Sequence, residues 1–131
     1  MDTTILKYRY HVKIKRKAKA VSGVFLRYID TKEELADFIE HASHCSVLAI
    51  DTEFIREKSY YPQLCLLQMA ADDQIVVIDP IAIKDISDIR VLLENKEIMK
   101  LFHAGRQDIE ILFRAASVTP TPVFDTQIAA A

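Results

Sequence analysis

Asp51 and Glu53 stand two residues apart, directly behind the apolar run Val47-Leu48-Ala49-Ile50. In a β-strand, residues i and i+2 point to the same face, roughly 6.5 Å apart along the chain. The two carboxylates therefore project together, and Thr52 faces the other way. So placed they repel each other, and a cation between them removes that penalty. Hard oxygen ligands suit Mg2+ or Mn2+. Asp108 is the candidate third ligand. It lies in the first turns of a helical segment whose apolar residues are Ile109, Leu112 and Phe113. An acid on the buried side of such a helix needs a partner, and a metal shared with Asp51 would supply one. A solvated acidic pair is the other reading of Asp-x-Glu. The buried strand in front of the pair strengthens the metal reading, and the residues alone leave both open.

The elements that must position these residues are legible from pattern. Residues 24–29 read as a strand. Thr31 followed by Glu34 is a capping-box pattern, and Leu35, Phe38, Ile39 and Ala42 recur at helical spacing. Residues 46–51 read as a buried strand ending in acid, and 55–63 as a loop. Residues 64–70 and 74–78 read as a hairpin turning at Ala71-Asp72-Asp73. Ile86, Ile89, Leu92 and Leu93 make a helical stripe. A strand is expected over 99–103 and a helix over 104–115. Thr119-Pro120-Thr121-Pro122 reads as a rigid connector, and Asp125 as the N-cap of a helix through Ile128. The fold class expected is α/β, a mixed sheet flanked by helices.

Charge is uneven along the chain. Residues 1–29 carry eight Lys/Arg against one acid, and the rest carry nine against eighteen. Residues 1–23 read as a basic arm, either a frayed, solvated terminus or a segment that contacts phosphates. Residues 24–131 read as the domain. No run approaches the roughly 18 apolar residues of a membrane span. Cys45 and Cys65 belong to no paired motif and sit beside apolar residues, so both are expected as buried thiols in a reducing, cytoplasmic setting. His41 and His44 lie near a helix end, where imidazoles suit the dipole, and no full ligand set accompanies them.

Longer stretches carry a resemblance. Asp51-Thr52-Glu53-Phe54, followed by Tyr60-Tyr61-Pro62-Gln63-Leu64-Cys65-Leu66-Leu67-Gln68, resembles the first exonuclease motif of the ribonuclease D family. Ile78-Asp79-Pro80 continues the match. Phe102-His103-Ala104-Gly105-Arg106-Gln107-Asp108-Ile109-Glu110 resembles the second motif, and Phe124 to Ala130 the helix start that follows. The likeness covers residues 24–131, in order.

The resemblance implies a ribonuclease H-like fold and a 3′–5′ exoribonuclease of the DEDD superfamily, with two divalent cations, Mg2+ or Mn2+, and no other cofactor. It implies that Asp51 ligates both cations, Glu53 the one that activates water, and Asp108 the second. Phe54, Tyr61 and His103 are candidate substrate contacts. The partner implied is an RNA 3′ end, such as a tRNA precursor, with neither a membrane nor a protein partner indicated. The family's third motif, a Tyr-x-x-x-Asp helix, has no match in residues 1–131. The expectation is therefore an exonuclease domain incomplete at its C-terminus, with little activity alone. A DNA-directed 3′–5′ exonuclease and a non-catalytic RNA-binding module are the alternative readings.

Overall fold

Thr31 opens the first helix as the capping box requires, its side chain accepting the Glu34 N–H. This is helix α1, Lys32–Ala42, and it buries Leu35, Phe38 and Ala42. The strands are β1 (Lys19–Val21), β2 (Val24–Ile29), β3 (Val47–Ile55), β4 (Gln63–Ala71), β5 (Gln74–Ile78), β6 (Met99–Phe102) and β7 (Val123–Asp125). The remaining helices are α2 (Pro80–Ile83), α3 (Arg90–Glu94) behind a 3-10 turn at Ser87–Ile89, α4 (Arg106–Ala116) and α5 (Thr126–Ala129). The coordinates form a computed structural model that describes residues 19–21, 23–56 and 60–131. Most of the basic arm expected over 1–23 lies outside these, while Lys19–Val21 joins the sheet by pairing with β2.

The strands form one mixed sheet in the order β1-β2-β5-β4-β3-β6-β7. β3, β4 and β5 run antiparallel in succession. β2 pairs β5, and β6 pairs both β3 and β7, all in parallel. One face of the sheet holds the core. Leu48 and Ile50 of β3, Leu67 and Met69 of β4, Val76 and Ile78 of β5 and Phe102 of β6 are buried with Leu35, Phe38, Leu92, Leu93 and Leu112 of the helices. Burial of this apolar face is what selects the register, because a one-residue slip would turn it outward. The other face is more open, with Leu26, Val47 and Ile75 each about two-fifths exposed. Among the described residues, no helix is long and apolar enough to cross a membrane.

Three expectations shift. β3 does not end at Asp51 but runs four residues further, because β4 carries the ladder on to Ile55 opposite Gln63, past an irregularity between Glu53 and Phe54. α4 starts two residues after the expected position 104, because Ala104 has a positive φ of 55°. The segment before Asp125 is not only a connector: Val123–Asp125 is strand β7, paired with β6 from Lys100 to Phe102.

Lys100 explains how that edge is held. Its side chain is fully buried. The ammonium donates to the carbonyls of Asn95 (2.5 Å), Ile98 (2.7 Å) and Thr121 (2.7 Å). An ammonium has three donors, so all are used. Its backbone N–H also donates to Pro122 O at 2.9 Å. Burial pushes the Lys100 amine down from its ordinary value. Both cysteines are buried free thiols, and burial pushes each up.

Candidate active site

β3 outruns β6, and the site lies in the overhang. β6 pairs with β3 only from Val47 to Ala49, whereas β4 follows it from Leu48 to Ile55. Beyond Ala49 the β6 side of β3 has no strand partner. Asp51 and Glu53 lie in this stretch, exposed on the open face, while Thr52 is 7 % exposed on the core face. The alternation expected from sequence is therefore present. Gln68, directly opposite Asp51 in the ladder, donates its amide N–H to Asp51 at 3.4 Å. Among the described residues the Glu53 side chain has no hydrogen-bond or ion-pair partner, and no basic side chain pairs with either carboxylate.

Asp108 closes the gap left by the short β6. It is the third residue of α4 and is 8 % exposed. Its Oδ1 accepts the Thr52 backbone N–H at 3.1 Å, and the Thr52 hydroxyl donates to the same oxygen. The buried acid thus finds its partner in Thr52, between the two exposed carboxylates, where sequence reasoning had left that partner to a metal. Oδ2 has no described partner. Among the described residues no group of three or more His, Cys, Asp or Glu side chains is placed to hold a metal ion by itself. The donor types nonetheless suit a divalent cation: two unneutralised carboxylates on one strand face, and a third that bonds to Thr52, the residue between them in sequence. His41 instead meets Ala71 O at 3.4 Å and Asp73 at 3.6 Å, which ties α1 to the hairpin.

The other candidates divide. His103 is exposed, with Nδ1 2.8 Å from the Thr126 hydroxyl. That hydroxyl lies 3.2 Å from Phe102 O, to which it donates. It has one proton, so the His103 tautomer consistent with both bonds carries its proton on Nδ1. His103, Asp51, Gln68 and Thr126 share a cleft of about 320 Å³ on the open face. Phe54 is half-buried just past the strand irregularity. Tyr61 is not in the cleft. Its ring lies under the Arg114 guanidinium of α4, 3.9 Å from the centroid, and edge-on to Tyr60 at 5.0 Å. That contact anchors the loop before β4.

Three contributors were not assigned to the site from sequence: Thr52, Gln68 and Thr126. Nothing local marks them: Thr52 and Gln68 are placed by strand register, and Thr126 by the turn from β7 into α5. Asp125 was read only as a cap. It does cap α5, accepting from Gln127 and Ile128, but it also accepts the N–H groups of Ala104 at 3.0 Å and Gly105 at 2.7 Å.

Over residues 26–131 the chain matches the family model of the 3′–5′ exonuclease. It is 46 % identical to the ribonuclease D of Nitrobacter hamburgensis over 103 residues, which cover 78 % of this chain and 27 % of that one. With the ribonuclease D of Gluconacetobacter diazotrophicus it shares 44 % identity over 103 residues, covering 78 % and 26 %. The chain thus spans about a quarter of the length of these curated relatives. Among solved structures, Escherichia coli RNase D, described as an exoribonuclease involved in structured RNA processing, superposes with a TM-score of 0.77 at 38 % identity over 81 % of this chain and 28 % of that one. Trypanosoma brucei RNase D in complex with RNA U12 superposes with a TM-score of 0.67 at 26 % identity, over 79 % and 38 %. The mixed sheet described above is the fold shared with these ribonucleases.

Proposed function

The chain belongs to the 3′–5′ exonuclease family, and from that premise we propose that it carries the first two carboxylate motifs of a ribonuclease D-like exoribonuclease. The observation that carries this reading is the overhang of β3, where Asp51 and Glu53 share the open face and Asp108 docks on Thr52 between them. The substrate is the 3′ end of an RNA, with a tRNA precursor as one candidate, and the product is a mononucleotide.

Asp51, Glu53 and the second oxygen of Asp108 would hold a pair of divalent cations, Mg2+ or Mn2+. Such cations supply Lewis acidity and make water acidic enough to attack at neutral pH. The chain's own residues set the geometry. Thr52 fixes the rotamer of Asp108 with two hydrogen bonds. Gln68 holds Asp51 on the cleft side. His103, with Nδ1 occupied by Thr126, keeps Nε2 available as an acceptor for a sugar hydroxyl or a water. Phe54 supplies an apolar surface next to Glu53 for the terminal base or sugar.

Two measurements test this. Mn2+ binding to the chain, followed by electron paramagnetic resonance, should weaken at least about tenfold in Asp51→Asn, since even groups behind metal ligands are worth 10–100-fold. Unchanged affinity would overturn the site assignment. Trimming of a 5′-labelled single-stranded RNA with Mg2+ or Mn2+ tests the activity. Residues 1–131 should trim slowly or not at all, because they bring three carboxylates and no Tyr-x-x-x-Asp. Adding a helix that supplies that motif should raise trimming of RNA above that of DNA. Robust trimming by residues 1–131 would sink the four-carboxylate reading, and preference for DNA would sink the RNA assignment.

A further inference from the structure

The junction between β6 and α4 is built from conformations that the chain does not adopt freely. Ala104 is left-handed, with φ 55°. Gly105 leaves no room for a side chain, since a Cβ would meet Phe102 Cβ at 2.5 Å. Left-handed alanine is disfavoured because its Cβ crowds the following carbonyl oxygen. Something must hold this turn, because the next turn of chain delivers Asp108.

We propose that Asp125, assisted by Thr126, is a positioning residue that clamps the β6–α4 junction and so seats Asp108 against Thr52. Its Oδ2 accepts the Gly105 N–H at 2.7 Å, and its Oδ1 accepts the Ala104 N–H at 3.0 Å. The Thr126 hydroxyl reaches Phe102 O and His103 Nδ1 at the same junction. Gly105 is the N-cap of α4, and its carbonyl accepts the Ile109 N–H at 2.9 Å. Fixing the 104–105 peptides therefore fixes the first turn, where Asp108 is the third residue. Asp125 is itself held in place because β7 pairs with β6 and Lys100 grips Thr121 O. The Asp125 carboxyl lies below its ordinary range, foremost because of the Gly105 N–H. The relevance of the clamp to catalysis rests on the proposed metal site, but its geometry can be tested without metal.

Capping of α5 and clamping of the junction separate in one variant. Oδ1 takes the Ala104, Gln127 and Ile128 N–H groups, while Oδ2 alone takes Gly105. Asn is as good an N-cap as Asp, so Asp125→Asn keeps the Oδ1 bonds and puts a donor where the Gly105 N–H needs an acceptor. Amide hydrogen exchange by NMR on the 131-residue chain reads both ends. In Asp125→Asn the Gly105 amide should exchange about tenfold faster, the loss expected of one charge-assisted bond. The Thr52 amide should shift in the direction seen in Asp108→Asn, and the Gln127 amide should stay as it is. Unmoved Gly105 and Thr52 amides would reduce Asp125 to a helix cap and overturn the clamp. If Asp125→Asn does not fold, Thr126→Val takes its place, with the same Thr52 amide as the deciding signal. Mn2+ affinity, with Asp51→Asn as reference, separates the two readings. Weaker binding in Asp51→Asn alone refutes only the clamp's relevance to metal. Unchanged binding in Asp51→Asn refutes the metal site and leaves the Thr52 amide to decide the clamp.

Discussion

Replacing Gly105 by alanine puts a methyl group where Phe102 already stands. The added Cβ would lie 2.5 Å from Phe102 Cβ, 2.7 Å from Cγ and 2.8 Å from Cδ1. Carbon atoms sit comfortably about 3.5–4.0 Å apart, so the gap must open by about 1 Å. Phe102 cannot give way by changing rotamer, because its nearest atom is the Cβ fixed to the β6 backbone, and the ring is only 2 % exposed. Gly105 has φ −78°, an ordinary value for alanine, so the cost is steric alone. Overpacking of this kind costs typically 1–3 kcal/mol, and a backbone-fixed clash belongs at about 3. At about 4 °C per kcal/mol for a domain of this size, the melting midpoint should fall by about 12 °C. Gly23→Ala is the control. Gly23 has φ +84° and nothing within 4 Å of its would-be Cβ, so only backbone strain of about 1 kcal/mol applies. Thermal melts followed by circular dichroism decide the matter. A Gly105→Ala loss no larger than that of Gly23→Ala would refute the claim that α4 is seated against Phe102.

Lys100→Met keeps the volume but leaves the carbonyls of Asn95, Ile98 and Thr121 without their donor. It should cost about 2–4 kcal/mol in urea denaturation, and a loss under about 1 kcal/mol would show that the ammonium is dispensable. Thr52→Val removes the hydroxyl bond to Asp108 but keeps the backbone one. Stability should change by about 1 kcal/mol, and Mn2+ affinity should fall several-fold; unchanged affinity would mean that Thr52 does not set the Asp108 oxygen. Asp125 titrates below its ordinary value when folded. Its contribution is therefore complete above the unfolded value near 3.9 and is lost as pH falls through the lower folded one. Asp85, held at about 2 foremost by the Ser87 N–H, acts in the same window. Stability should drop below about pH 4, less steeply in Asp125→Asn; identical slopes would contradict the Asp125 assignment.

What the sequence revealed and what it hid divide along local and non-local lines. α1 was legible because Thr31, Glu34 and the Leu35–Phe38–Ala42 spacing are all local signals. The hairpin was legible from Ala71-Asp72-Asp73, where Asp72 takes the positive φ of 51° that the turn needs. The Asp51–Glu53 face followed from period-two alternation. The end of β3 was hidden, because Asp-Thr-Glu is a poor strand sequence, held extended only by β4 across the ladder. β7 was hidden for the same reason: three residues beside Pro120 and Pro122 carry no pattern of their own and depend on β6 and Lys100. Nothing in Met-Lys-Leu-Phe marks Lys100 as a core residue, yet it is wholly buried. The partners of Asp108 and the second pair of bonds to Asp125 span 56 and about 20 residues, beyond the reach of any local rule.

The position of the candidate site follows from a mismatch of strand lengths. β3 has nine residues and β6 has four. Had β6 continued past Phe102, its next residues would lie along the β6 side of β3 beyond Ala49. The Thr52 N–H would then bond to a strand carbonyl, and Asp108 would have no seat. The strand must therefore stop at Phe102, and the chain must turn back at once. Left-handed Ala104 and side-chain-free Gly105 make that turn, and Asp125 takes the two N–H groups the turn would otherwise leave unpaired. α4 then starts close enough for its third residue to reach Thr52. Asp51 and Glu53 need only lie in the same overhang, which their spacing to Thr52 ensures. Inserting two residues between Phe102 and His103 should accordingly extend β6, free Asp108 from Thr52 and weaken Mn2+ binding as much as Asp108→Asn does. An insertion that leaves the Thr52 amide shift unchanged would show that the short strand is incidental to the site.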